Sequence, residues 1–175
     1  MLGYSLFKNL IQNPDIETFG TVRSQEKLMG SFSQEETKRL FIFDALDSTK
    51  NISDILEEIE PEYVLNCIGL ISQKRSDFID VIKLNSVFPH ELARECSNAS
   101  AKLIHFSTDC VFNGSKGNYV EDDFADANDL YGRSKFLGEV SNDQHLTIRT
   151  SIIGHELKTN LSLIDWFLSQ QDTVN

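Results

Sequence analysis

The chain has 175 residues, 40% of them hydrophobic and 25% charged, which bounds it at one ordinary domain and excludes disordered, collagen-like and coiled-coil classes. Asp plus Glu number 27 against 16 Lys plus Arg, a formal charge of -11, the wrong sign for a protein that lives on nucleic acid. No apolar stretch nears the roughly 20 residues that span a bilayer, Met1 to Lys8 has no secretory-signal layout, and Cys67, Cys96 and Cys110 form no CxxC pair; a cytoplasmic chain with free thiols and no membrane partner is expected.

In chain order, Leu6, Phe7, Leu10 and Ile11 lie at helical spacing and predict a helix over 3–12, ended before Asn13-Pro14. Glu17 to Val22 and Leu40 to Phe43 read as short strands. Ile52, Ile55, Leu56 and Ile59 lie on one face of a helix stopped by Pro61. Tyr63 to Cys67 and Leu103 to Ser107 read as buried strands. Between them Asp77 to Ser97 is helical, and Pro89 either kinks it or opens a second helix. A helix over Asp129 to Val140, a strand over His145 to Thr150 and an amphipathic helix over Leu161 to Leu168 complete the alternation. This recurrence of strand and helix predicts α/β architecture with a doubly wound parallel sheet, in which ligands bind beyond the carboxyl ends of the strands. The ends at Arg23-Ser24, Asp44, Asn66 to Gly69, Ser107 to Asp109 and Arg149 to Ser151 therefore form the candidate site.

Tyr131 and Lys135 stand four residues apart, which places a phenol and an ammonium on one helical face about 5–6 Å apart at Cβ. A nearby ammonium favours phenolate, so Lys135 is expected to draw the Tyr131 pKa down from near 10 and fit the phenol for general acid work. Such a pair is common on solvated helix faces; Ser107-Thr108-Asp109, at a strand end two dozen residues upstream, adds hydroxyls that could meet the same substrate oxygen. His90, His105, His145 and His155 show no ligand spacing, so no metal site is expected. The acidic run Glu121 to Asp123 with Asp126 reads as a solvated loop, and Asp129 as a first-turn or cap residue.

The runs Asn66-Cys-Ile-Gly-Leu-Ile, Asn85-Ser-Val-Phe-Pro-His-Glu-Leu-Ala, His105-Phe-Ser-Thr-Asp-Cys-Val-Phe-Asn-Gly, Tyr131-Gly-Arg-Ser-Lys and Leu146-Thr-Ile-Arg-Thr-Ser resemble the dTDP-4-dehydrorhamnose reductase branch of the extended short-chain dehydrogenases/reductases. The resemblance covers nearly the whole chain and implies one Rossmann-like domain, 1–175, that is partial. It implies an oxidoreductase reducing the 4-keto group of a nucleotide-activated deoxysugar for surface polysaccharide synthesis. Thr108, Tyr131 and Lys135 would be its catalytic residues. Met1, Leu2, Gly3, Arg23, Ser24, Asp44, Ala45, Asn66, Cys67, Ile68, Gly69, Asn85 and Ser107, with Tyr131 and Lys135, would bind the dinucleotide; Thr108, Asp109, Cys110 and Ile152 would face the sugar. The branch commonly carries tyrosine where this chain has Cys110 and tryptophan where it has Ile152, so the sugar stays open. Arg23 stands where dinucleotide folds place a basic group for a 2′-phosphate, which favours NADP(H) over NAD(H), although single arginines are also common at strand ends.

The glycine turn that opens such folds is represented only by Gly3, and the first strand, central in the order 3-2-1-4-5-6, has no counterpart. The expectation is a chain cut at both ends, with the sheet open at its middle and most of a C-terminal substrate region missing. Homo-oligomerisation is compatible with these features. The alternatives are a sugar-nucleotide epimerase or dehydratase, a noncatalytic binding relative and an inactive fragment.

Overall fold

A computed structural model of the chain describes residues 1–24, 30–47, 49–71, 77–140, 142–155 and 162–170. Its contacts group into two compact units, Met1–Thr18 with Ser151–Asn175, and Phe19–Thr150. The first unit contains helix α1 (Leu2–Leu10), which buries Phe7, and helix α7 (Leu163–Ser169). Ser162 caps α7 by accepting the Asp165 amide at 3.2 Å, a side-chain cap for an otherwise orphan donor. Leu161, the start of the predicted last helix, lies outside the described residues.

Among the described residues, the second unit carries five parallel strands in two sheets. Strand β1 (Gly20–Val22) pairs with β2 (Leu40–Ile42), and β3 (Tyr63–Asn66) pairs with β4 (Lys102–Ser107), which pairs with β5 (Leu146–Arg149). No ladder joins β1 to β3 among the described residues, so the two sheets stand apart where the doubly wound order places its central strand. The strand expected over Glu17 to Val22 is shorter than its pattern. A turn closes at Ile16 through the Asn13 carbonyl, and the first ladder bond to β2 is made only by the Gly20 amide, to Arg39 O at 2.9 Å. Between β1 and β2, helix α2 (Gln34–Thr37) was not read from the sequence, although Ser33-Gln-Glu-Glu36 spells a capping box. Ser33 Oγ accepts the Glu36 amide while Glu36 accepts the Ser33 amide.

Helix α3 (Ile52–Ile59) starts on an Asn51 cap and ends at Glu60, left-handed at φ 48°, because a residue before proline disfavours helical backbone. The long helical region resolves into α4 (Phe78–Ile82), a π-turn (Lys83–Val87) and α5 (Phe88–Asn98), with Pro89 in the first turn of α5. Both sequence options for Pro89 are thus partly realised. It opens a helix where its missing amide is harmless, and the wider turn before it buries Leu84, Asn85 and Ser86 in succession. The core gathers Leu56 of α3, Phe88, Leu92, Ala93 and Cys96 of α5, Leu103 of β4 and Phe43 beyond β2, with Phe43 and Phe88 rings 5.9 Å apart. Helix α6 (Leu130–Leu137) occupies the middle of the predicted Asp129 to Val140 segment, between an Asp129 cap and Gly138. No helix among the described residues is long and apolar enough to cross a membrane.

Candidate active site

Alternation along β4 turns Leu103, His105 and Ser107 to its buried side, and the chain leaves the strand through Thr108 into a 3₁₀ turn, Asp109–Val111. Thr108 is 6% exposed and its hydroxyl accepts the Cys110 amide at 3.2 Å. Helix α6 seats on this turn. A Cβ on Gly132 would stand 2.2 Å from the Cys110 carbonyl oxygen, and one on Gly138 would stand 1.9 Å from that of Asn85. Only glycine permits backbone to approach backbone so closely at both ends of one helix. Midway, Ser134 is fully buried. Its hydroxyl accepts from Asn85 Nδ2 at 3.1 Å and donates to Tyr131 O at 2.9 Å, while Ser86 Oγ donates to Ser134 O at 2.8 Å. Gly132, Ser134 and Gly138 thus dock the helix that carries Tyr131 and Lys135.

Lys135 is buried and donates to the Phe106 carbonyl at 2.7 Å, with His105 Nε2 at 3.5 Å. Burial lowers its pKa to about 8, against an upward pull from Glu139. The Tyr131 phenol is half-buried, and the expectation that Lys135 draws it down is not met: its pKa is raised. Burial is the main cause; a hydrogen bond with Thr108 opposes it, and Cys110, Asp109 and Asp129 reinforce it. The lysine charge is turned into the protein, toward a carbonyl, so the phenol keeps its proton at neutral pH.

The loop after β3 lies beside this pair. Asn66 Oδ1 accepts the Ile68 amide at 3.1 Å. Asn85, fully buried, accepts from the Leu70 amide at 2.8 Å and donates to Leu70 O at 2.9 Å, which pins the loop to the π-turn. Gly69 is exposed, and a Cβ there would be 3.8 Å from Lys135 Nζ. Asn66, Cys67, Ile68, Gly69, Asn85, Ser107, Thr108, Tyr131 and Lys135 are therefore brought to one place, with Asp109 and Cys110 exposed on the adjoining turn. The amides of Asn66 and Asn85 are committed within the protein, so their work is to shape the loop. Arg23, exposed, and Ser24 follow β1. Asp44 and Ala45 follow β2, where Asp44 closes a turn by accepting the Leu46 amide at 3.0 Å. Met1, Leu2, Gly3 and Ile152 belong to the first unit.

Two groups escaped the sequence reading. Glu139 accepts from Ser107 Oγ at 2.7 Å and from Arg149 in two parallel bonds of 2.9 and 2.7 Å, linking the segment after α6 to β4 and β5; a bidentate, mostly buried pair of this kind is geometrically demanding. His105, fully buried, sits between Asn66 Nδ2 at 3.0 Å and Lys135. Its place on the same strand face as Ser107 was available from alternation alone. Burial, the Lys135 charge and His90 lower its pKa from 6.5 to about 3. The unfolded chain therefore takes up a proton that the folded chain refuses between those values, and stability falls on acidification across that window by about 1.4 kcal/mol per pH unit. Denaturant melts at pH 6.5 and at about pH 4.5 should show an acid loss that shrinks in His105→Gln; equal losses in both proteins would discard this role for His105.

Residues 1–171 match the family described as RmlD substrate binding domain. The chain is 31% identical over 144 residues to the probable low-salt glycan biosynthesis reductase Agl14 of Haloferax volcanii, covering 76% of this chain and 48% of that protein, so it spans about half the relative's length. Among solved structures, the hypothetical dTDP-4-dehydrorhamnose reductase from Sulfolobus tokodaii superposes with a TM-score of 0.67 at 23% identity, over 84% of this chain and 51% of that one. The dTDP-4-dehydrorhamnose reductase of Bacillus anthracis, solved in complex with NADP, superposes with a TM-score of 0.60 at 23% identity, over 83% and 57%. These superpositions establish the Rossmann-like α/β fold.

Proposed function

Because the chain belongs to the RmlD substrate binding domain family, we propose that it is the dinucleotide-binding part of a reductase that acts on the 4-keto group of a nucleotide-activated deoxysugar, with NADPH as reductant. The observation that carries this reading is the convergence of Thr108, Tyr131 and Lys135 at the carboxyl end of β4, beside the loop after β3. The residues present suit a nicotinamide ribose: the buried Lys135 ammonium lies beside exposed Gly69, which lets a ligand approach backbone, and the Tyr131 phenol is carried on the same helix as Lys135. Bound there, the dinucleotide supplies the hydride.

The work of the chain is the proton. As hydride adds to the carbonyl carbon, the carbonyl π pair moves to oxygen, and Tyr131 donates its phenolic proton to that oxygen. A phenol whose pKa is raised is fully protonated at neutral pH but a weaker acid, so its proton is drawn by the more basic alkoxide oxygen that hydride addition creates. Lys135, largely ammonium below its pKa of about 8, is held at the Phe106 carbonyl and would offset the phenolate by turning toward the charge once it forms. Thr108 orients the oxygen through its hydroxyl. Arg23, exposed after β1, is the group proposed to meet a 2′-phosphate, in keeping with the NADP bound by the Bacillus anthracis protein. Cys110 and Asp109, exposed on the turn beside Tyr131, would face the sugar. The name of the Haloferax volcanii relative, a glycan biosynthesis reductase, agrees with a role in polysaccharide assembly.

A fluorescence titration of NADPH and NADH into the chain tests the reading. Saturable binding about tenfold tighter for NADPH, with the preference erased in Arg23→Ala, is the expected result. Equal affinity for the two would remove the NADPH assignment. Net consumption of reduced cofactor on ketosugar in the full-length protein separates a reductase from an epimerase, which returns its cofactor unchanged.

A further inference from the structure

The Ile68 amide can only donate, and it donates to Asn66 Oδ1 at 3.1 Å. That fixes the Asn66 amide orientation, so its nitrogen must face His105 Nδ1, 3.0 Å away. An NH₂ group can only donate there, which makes Nδ1 the acceptor and leaves the hydrogen of the neutral ring on Nε2. Nε2 lies 3.5 Å from Lys135 Nζ. The ring therefore points an N–H at a nitrogen whose ammonium form is itself only a donor. This arrangement favours the amine, with a free lone pair, over the ammonium. A single backbone amide thus reaches through two side chains to the lysine, which donates its own hydrogen to Phe106 O at 2.7 Å.

We propose that His105, held as its Nε2–H tautomer by Asn66 and the Ile68 amide, is a positioning residue that sets both the seat and the protonation balance of Lys135. The other charged group acting on Lys135 is Glu139, two residues past the end of its helix, which favours the ammonium, and His90 acts on the His105 ring. Burial of both side chains of this relay, with His105 fully buried and Lys135 at 4% exposure, keeps water from substituting for either partner. The proposal takes the catalytic part of Lys135 from the reductase reading, but its test does not use turnover.

Long-range ¹H–¹⁵N histidine spectra of the chain should show His105 as the Nε2–H tautomer, without titration from about pH 5 to 9. The Lys135 ¹³Cε resonance should report the amine equilibrium. Asn66→Asp presents an acceptor to Nδ1, so it should turn the ring to the Nδ1–H tautomer and move the lysine midpoint up by at least about one pH unit, a tenfold rise in the ammonium-to-amine ratio. His105→Phe, which removes the N–H, should also move it up, whereas His105→Gln, which keeps an N–H donor, should hold it near the parent value. An Nδ1–H tautomer in the parent chain would overturn the proposal even if no variant folded. So would one lysine midpoint common to the parent, Asn66→Asp and His105→Phe. Failure of the reductase reading would appear elsewhere, as turnover that survives loss of Tyr131, with these spectra unchanged.

Discussion

Tyr131→Phe in the full-length reductase is expected to slow ketosugar reduction by roughly 10²- to 10⁴-fold, the usual contribution of a positioned general acid. The ring stays and only the hydroxyl leaves, so packing of the half-buried side chain should change little. The raised pKa of this phenol bears on the pH profile as well. A group that must be protonated to act keeps the rate flat through neutrality and lets it fall only in alkali, as the phenol is lost. A lysine with a pKa near 8 adds a second alkaline step, since the phenolate formed in the reaction loses its counter-charge once Lys135 becomes amine. Stopped-flow absorbance of NADPH oxidation under single turnover reads the chemical step directly. A rate for Tyr131→Phe within threefold of the parent, about 0.7 kcal/mol in barrier height, would withdraw Tyr131 as the acid.

The largest effect on stability is expected at Gly138. An alanine there would bring Cβ to 1.9 Å from Asn85 O and 2.9 Å from the carbonyl carbon, well inside van der Waals contact. The obstacle is backbone, and it is backbone of the π-turn, where Pro89 four residues on has no amide to hold the Asn85 carbonyl. Relief would require α6 to lift from the π-turn, which would break the bonds that Asn85 and Ser86 make to Ser134. Overpacking of this kind costs about 1–3 kcal/mol in cores that can yield, and this contact has little room to yield, so a loss of at least about 3 kcal/mol is expected in urea melts. Gly132→Ala, against the Cys110 carbonyl at 2.2 Å, should behave alike and also shift the Thr108 turn relative to Tyr131. Gly69→Ala, whose Cβ would meet Asn85 Oδ1 at an ordinary 3.5 Å, serves as the comparison and should unfold near the parent. Equal urea midpoints for all three variants would show that α6 is not seated by its glycines.

Much of this was present in the local order of residues. Alternating strand and helix patterns give the α/β class, and four-residue spacing puts Tyr131 and Lys135 on one helical face whatever the rest of the chain does. The Ser33 capping box was equally legible, and short enough to pass unread. The strand over Glu17 to Val22 shows where local pattern stops: Glu17, Thr18 and Phe19 make no ladder bond among the described residues, and a strand is defined by its partner.

The sequence by itself determined which residues share a helix face, where proline and glycine stop or open elements, and which strand ends carry polar groups, since each depends on spacing along a few covalent bonds. Tertiary structure alone decided that Asn66 meets His105 across 39 residues, that Asn85 meets Ser134 across 49, and that Glu139 takes both Ser107 and Arg149. It also decided the direction in which Tyr131 titrates. Spacing placed a cation near the phenol, but the buried lysine turns to the Phe106 carbonyl and the phenol is left to burial and its acidic neighbours. Proton affinity is set by solvent exclusion and by charges brought together through space, and neither exists until the chain has folded.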